Sequence, residues 1–136
     1  MQANLFKKSA VLIETNSSHR KLYEDVLIAN GFDVYVARSA IDGLIKTKET
    51  QQDLTVINTE VAEESFIEKF ISKMRDESMS NVMPIIGLSV YKQEYKKNIA
   101  KILDAFLTKP FSIDRFIESI LISIESRANG CKSPGD

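Results

Sequence analysis

The sequence has one cysteine, one histidine, three prolines and five glycines in 136 residues. One thiol cannot close an internal disulfide, and neither Cys131 nor His19 belongs to a cluster of zinc ligands. The shortage of glycine leaves no glycine-rich phosphate loop, which places a nucleotide-binding protein or a flavodoxin-like enzyme last among the function classes. No apolar run approaches the ~20 residues that a membrane helix needs, and no apolar region follows Lys7 and Lys8 to make a signal peptide. The expected location is cytoplasmic. Neither sign of charge dominates: 18 Lys and Arg face 19 Asp and Glu, so there is no global footprint for nucleic acid. What the chain does have is 43% apolar and 27% charged residues, the balance of a single soluble domain. Any metal chemistry would fall to oxygen ligands, for which nineteen acids are ample in number.

Five short apolar runs alternate with helical patterns. Ala10-Val11-Leu12-Ile13, Val34-Tyr35-Val36-Ala37, Asp53-Leu54-Thr55-Val56-Ile57-Asn58, Pro84-Ile85-Ile86-Gly87-Leu88-Ser89 and Ala105-Phe106-Leu107-Thr108-Lys109 read as strands. Between them, Leu22, Tyr23, Val26 and Leu27 mark a first helix, capped by Ser17 or Ser18 and stopped at Asn30-Gly31. Ser39 with Asp42 opens a second helix through Ile41, Leu44 and Ile45; Phe66, Ile67, Phe70, Ile71 and Met74 mark a third. A lysine-rich helix is expected over residues 92–103. The last helix carries the stripe Ile113, Phe116, Ile117, Ile120, Leu121 and Ile124, with Ser112 as N-cap and Phe111 stapled to Phe116.

This alternation predicts an α/β fold, a doubly wound (βα)5 unit with helices on both faces of a parallel sheet. The predicted division is an N-terminal extension over residues 1–9, a domain over 10–126 and a flexible tail over 127–136, where Cys131 is exposed and without a role. Ligands of such folds sit beyond the carboxyl ends of the strands. That rule selects five places: Glu14–Asn16, Arg38–Ser39, Asn58–Glu60, Ser89–Tyr91 and Lys109–Pro110.

Those residues, with Lys109-Pro110-Phe111 following the fifth strand and Ser89 ending the fourth, resemble the receiver domains of bacterial response regulators. Stretches such as Leu12-Ile13-Glu14, Lys21-Leu22-Tyr23 and Ala29-Asn30-Gly31-Phe32 are most similar to stand-alone receivers of the DivK type. The resemblance implies a CheY-like (flavodoxin-like) sheet of order 2-1-3-4-5 and a cis bond before Pro110. It also implies a chemistry: an aspartate ending the third strand takes a phosphoryl group from phosphohistidine, and Mg²⁺, held by two acids after the first strand, neutralises charge. A hydroxyl after the fourth strand and a lysine after the fifth bind the phosphoryl oxygens, and an aromatic switch residue sits at Phe106.

Carried over position by position, Glu14, Ser89 and Lys109 keep the family's chemistry. Thr15 replaces the second acid and Asn58 replaces the acceptor aspartate. Val61-Ala62 replaces the usual apolar residue and proline, and the family's glycine downstream is missing. An amide is not the required nucleophile, and two lost charges leave a poor site for a hard cation. Conventional phosphorylation is therefore excluded, Mg²⁺ binding is expected to be weak or lost, and no enzyme activity or cofactor is expected. No substitute acceptor is expected either. Asp53 lies ~17 Å down the strand from Asn58, Asp104 belongs to the opposite end of the sheet, Thr59 is aimed elsewhere, and the Glu60 side chain points away.

The retained residues then have quieter readings. Lys109 pairs with Glu14, Asn58 bonds to Lys109 or Ser89, and Phe106 is packing locked inward. His19 is a solvated residue of the cap region. Lys92, Lys96, Lys97 and Lys101, with Phe106 and the off-stripe Ile122, mark an interaction face for an acidic or amphipathic partner. The expected function is a phosphorylation-independent pseudo-receiver. Its partner would be a histidine kinase, another receiver or an effector, with a homodimer possible and neither nucleic acid nor membrane involved. The alternative is an active single-domain response regulator with an unconventional phosphoacceptor or Mg²⁺ site.

Overall fold

A computed structural model of the chain describes residues 8–49, 52–77 and 83–129. Strand β1 (Lys8–Ile13) lies between β2 (Phe32–Ala37) and β3 (Leu54–Asn58); β4 (Ile85–Ser89) and β5 (Ala105–Thr108) follow. All pairings are parallel and the order is β2-β1-β3-β4-β5, the doubly wound topology expected. Every residue of β3 and β4 is buried, as strands covered on both faces must be.

Alternation along β1 divides the core in two. Ala10 and Leu12 face α1 (Ser17–Ala29) and α5 (Ile113–Ala128), packing with Tyr23, Leu27, Phe116 and Ile120. Val11 and Ile13 face the other layer, built from α2 (Ala40–Glu49), α3 (Glu64–Glu77) and α4 (Lys97–Lys101), with Ile67, Phe70, Ile71, Ile99 and Leu103. Gly43 gives up its side chain to this layer: a Cβ there would collide with the end of Ile13. Gly31, at φ 95°, makes the turn between α1 and β2 that a side chain would oppose.

Several local expectations need correction. Strand β1 starts at Lys8, inside the predicted extension, because Lys8 and Ser9 pair with Phe32 and Asp33 and Ser9 N–H donates to Asp53. The cap of α1 is Asn16, whose side-chain oxygen accepts the His19 N–H at 2.9 Å, so Ser17 and Ser18 are already helical. Helix α1 turns Tyr23 and Leu27 inward and leaves Leu22 half exposed. In α2, Ala40 and Gly43 are the buried residues, while Ile41 and Ile45 face outward. In α5, Phe116, Ile120 and Ser123 are buried and Leu121 is exposed, because a four-residue step from Ile120 leads to Ile124 and leaves Leu121 off the sheet. That helix runs through Ala128, so Arg127 and Ala128 are not tail; residues 130–136, with Cys131, lie outside the described residues.

The helix expected over residues 92–103 is instead a single 3-10 turn (Gln93–Tyr95) followed by the five-residue α4. Lys96 separates them at φ −131°, ψ 36°, and neither segment has a side-chain cap. Ser39 and Ser112 do cap as expected, accepting N–H groups of Asp42 and Arg115. The Lys109–Pro110 bond is cis. Among the described residues, no helix is long and apolar enough to cross a membrane.

Candidate functional site at the carboxyl ends of the strands

Parallel register carries the ends of β1, β3, β4 and β5 to one rim. Ile13 stands beside Ile57, Asn58 beside Leu88, and Ser89 beside Thr108. The next residues of β1 and β5, Glu14 and Lys109, project into the space between them, and the Lys109 N–H donates to the Ser89 carbonyl at 2.6 Å. The sequence positions singled out for function thus occupy one end of the sheet, although they divide into two hydrogen-bonded groups.

The first group centres on Glu14, which is completely buried. Its Oε1 accepts from Lys109 Nζ at 2.7 Å, and its Oε2 accepts from Asn58 Nδ2 at 2.7 Å and from Asn16 N–H at 3.1 Å. Burial pushes the Glu14 carboxyl up, but the hydrogen bonds from Lys109, Asn58 and Asn16, with the Lys109 charge, outweigh it and hold the group below its ordinary value. Lys109 also lies 2.9 Å from His19 Nδ1. An ammonium has only protons to offer, so this contact is a hydrogen bond when Nδ1 accepts. His19 is therefore a half-buried partner of the site lysine and not a solvated cap residue.

Below Lys109 lies Tyr23, stacked on Phe111 at 5.6 Å and tilted against Phe116 at 5.3 Å, with the Lys109 ammonium 5.6 Å from its ring centre. Burial, aided by the Glu14 charge, pushes the Tyr23 phenol up to about 12. Phe111 and Phe116 are 5.7 Å apart, as the staple requires.

Contrary to the expectation from sequence, Asn58 bonds neither to Lys109 nor to Ser89 and uses both ends of its amide elsewhere. Nδ2 serves Glu14, while Oδ1 accepts the Glu60 N–H at 2.9 Å. Arg20, which sequence reasoning missed, donates through Nη1 to the carbonyls of Glu14 and Thr15 at 3.0 and 3.2 Å. Thr15 itself is exposed.

The second group centres on Glu60, and here the expected geometry is reversed. Its side chain turns into the rim: Oε2 accepts from Thr59 Oγ1 at 2.6 Å and Ser89 Oγ at 2.7 Å, and Oε1 accepts the Val90 N–H at 2.9 Å. Thr59 is thus part of the rim as well. Lys96 Nζ lies 3.8 Å from Glu60 and 5.0 Å from the Tyr91 ring centre, so Lys96 folds back toward the site and leaves the solvated lysine face. The signal for Glu60 was Ser89: a fully buried hydroxyl demands a partner, and Glu60 is the acid near that rim. Phe106 is half-buried against the α3–α4 layer.

These donors do not fit a Mg²⁺ site. Glu14 is already met by Lys109, Asn58 and Asn16, and the Lys109 ammonium already balances its charge. The Asn58 oxygen is engaged by a backbone N–H, and the neighbouring carbonyls by Arg20. Among the described residues, no group of three or more His, Cys, Asp or Glu could hold a metal ion. Asp104 lies at the far end of the sheet, as expected, where its carboxylate joins Arg75 and Arg127 at 2.6 Å each.

No family model matches the chain. The chain is 28% identical over 116 residues to the polar-differentiation response regulator DivK of Brucella ovis, covering 83% of this chain and 93% of that protein. A CheY-like receiver domain from Methanospirillum hungatei superposes with a TM-score of 0.79 at 16% identity, covering 91% of this chain and 98% of that one. The receiver domain of a sensor histidine kinase from Pseudomonas aeruginosa, solved with magnesium in its active-site cleft, superposes at 0.75 with 18% identity, covering 88% and 99%. The chain therefore has the CheY-like fold of these receiver domains, and by sequence it is similar to the DivK response regulators over most of its length.

Proposed function

We propose that this chain is a receiver-like protein-interaction module of two-component signalling that acts without accepting a phosphoryl group, and that it is not an enzyme. The observation that carries this reading is the Asn58 amide itself: it ends β3 as a donor to Glu14, with no nucleophilic oxygen to offer. The Glu14–Lys109 pair closes the place where a divalent cation would neutralise a transferring phosphoryl group. Signalling then depends on surface, with no cofactor. Lys92, Lys97 and Lys101 are exposed along the β4–β5 connection, and Leu121 and Ile122 are 58% and 57% exposed on α5. This combination suits an acidic or amphipathic segment of a kinase, a second receiver or an effector.

Incubation with Mg²⁺ and acetyl phosphate, read by intact mass, tests the reading. No adduct is expected on the native chain. A stoichiometric phosphoryl adduct overturns the proposal in favour of an active receiver, and mass mapping to Glu60 would name the substitute acceptor. Capture of a histidine kinase or receiver by the native chain, lost in Lys97→Glu/Lys101→Glu, tests the face; undiminished capture by the variant places docking elsewhere.

A further inference from the structure

Glu60 ties the rim to the lysine-rich side of the molecule. Ser89 is fully buried, and its hydroxyl both donates to Glu60 Oε2 and accepts the Tyr91 N–H at 3.0 Å. Val90 N–H reaches Oε1, Thr59 Oγ1 reaches Oε2, and Lys96 brings a positive charge within 3.8 Å. Two hydroxyls and a backbone N–H donating to one carboxylate, with an ammonium as its counter-charge, are the kind of ligand set that an oxyanion takes. Nothing in that set selects a carboxylate over a tetrahedral anion. The loop organised by these bonds presents Tyr91 and Tyr95, 50% and 71% exposed, which with Lys96 line a groove of about 480 Å³. An ordinary surface ion pair would not account for this arrangement, because two of the donors belong to buried residues, Thr59 and Ser89.

We infer that Glu60 is a built-in anionic ligand: its carboxylate fills an oxyanion pocket made by Thr59, Ser89, Val90 and Lys96, and so shapes the Tyr91–Tyr95 groove without any bound phosphate. The inference rests on the reading that the chain works unphosphorylated, and it adds the residue that takes the place of the phosphoryl group. The pocket is closed to free anions in the native chain and opens when the carboxylate is removed.

The test is titration of inorganic phosphate, up to about 20 mM, into ¹⁵N-labelled native protein, Glu60→Ala and Glu60→Ala/Ser89→Ala, following the amides of Val90, Tyr91 and Lys96. The native amides should stay still. Glu60→Ala should respond saturably, at least about tenfold more tightly than native, with its shifts moving back toward native positions, and the Ser89→Ala double variant should lose the response. Glu60→Ser supplies the same comparison if the alanine variant does not fold. An equal response in native and truncated protein, or none in either folded truncation, overturns the inference while leaving the unphosphorylated reading intact. A phosphoryl adduct on the native chain overturns the reading beneath it.

Discussion

Asn58 Nδ2 points at Glu14 Oε2 across 2.7 Å, an amide donor set against a completely buried carboxylate. An aspartate at the same place would have only lone pairs to turn toward Glu14. The amide is therefore matched to its neighbour, and the match can be broken by a single oxygen-for-nitrogen exchange.

Asn58→Asp should lower stability at neutral pH by about 1–3 kcal/mol, because two carboxylates meet where donor and acceptor met before. Thr15→Asp/Asn58→Asp should regain part of that loss when about 10 mM Mg²⁺ is added, since a cation bound only by the folded state stabilises it. Urea unfolding with and without Mg²⁺ measures both. Magnesium-independent midpoints in the double variant would mean that these two positions are not what the cation lacks.

Lys109→Met should cost about 3–5 kcal/mol, the usual consequence of leaving a buried charge without its partner. The Glu14 carboxylate is 0% exposed and Lys109 supplies its only cation within 4 Å among the described residues. Glu14→Gln/Lys109→Met should be less destabilised than Lys109→Met alone. Chemical denaturation of the double-mutant cycle decides it.

The Glu14 carboxyl is held below its ordinary value in the folded chain. Its contribution to stability is thus complete above the unfolded carboxylate range and drains away as pH falls through the depressed folded value. The acid limb of a stability–pH profile should be steeper for the native chain than for Glu14→Gln. Parallel acid limbs would contradict the assignment.

At alkaline pH the sign is opposite. Tyr23 ionises near 12 in the folded chain, against about 10 in an unfolded one. Between those values the unfolded state releases its proton first, so stability should drop as pH rises, by on the order of 2 kcal/mol. Tyr23→Phe should lack that step, and tyrosinate absorbance should show one late-titrating phenol fewer.

Asp104→Ala should be far more damaging than charge reversal on the lysine face. Its carboxylate is 5% exposed and takes Arg75, Arg127 and the Ile85 N–H at 2.6, 2.6 and 2.7 Å. A loss of about 3–5 kcal/mol is expected, against roughly 0.5 kcal/mol for Lys97→Glu/Lys101→Glu. Thermal unfolding of the two variants side by side provides the comparison.

Strand alternation was legible in the sequence because β-branched runs such as Leu54–Asn58 admit few other structures, and the topology rules then fixed which end of the sheet carried Glu14, Asn58, Ser89 and Lys109. The segment from Lys92 to Leu103 was not legible. Its helical spacing is real, but Lys96 leaves the helix and reaches back to Glu60, a tertiary contact that no local pattern contains. Glu60 and His19 were misread for a related reason. Position alone said where their backbones lie, whereas their side chains went to the nearest buried partner needing an acceptor, the Ser89 hydroxyl and the Lys109 ammonium.

The carboxylate that receives Ser89 belongs to the same chain, two peptide bonds from Asn58. A tethered group is present once per molecule at a local concentration set by geometry, whatever donors or hydrolases surround it. Its occupancy has no lifetime tied to metabolism. Under the proposed reading, a signal carried in this way would be graded by how many copies of the protein are made and how many are destroyed.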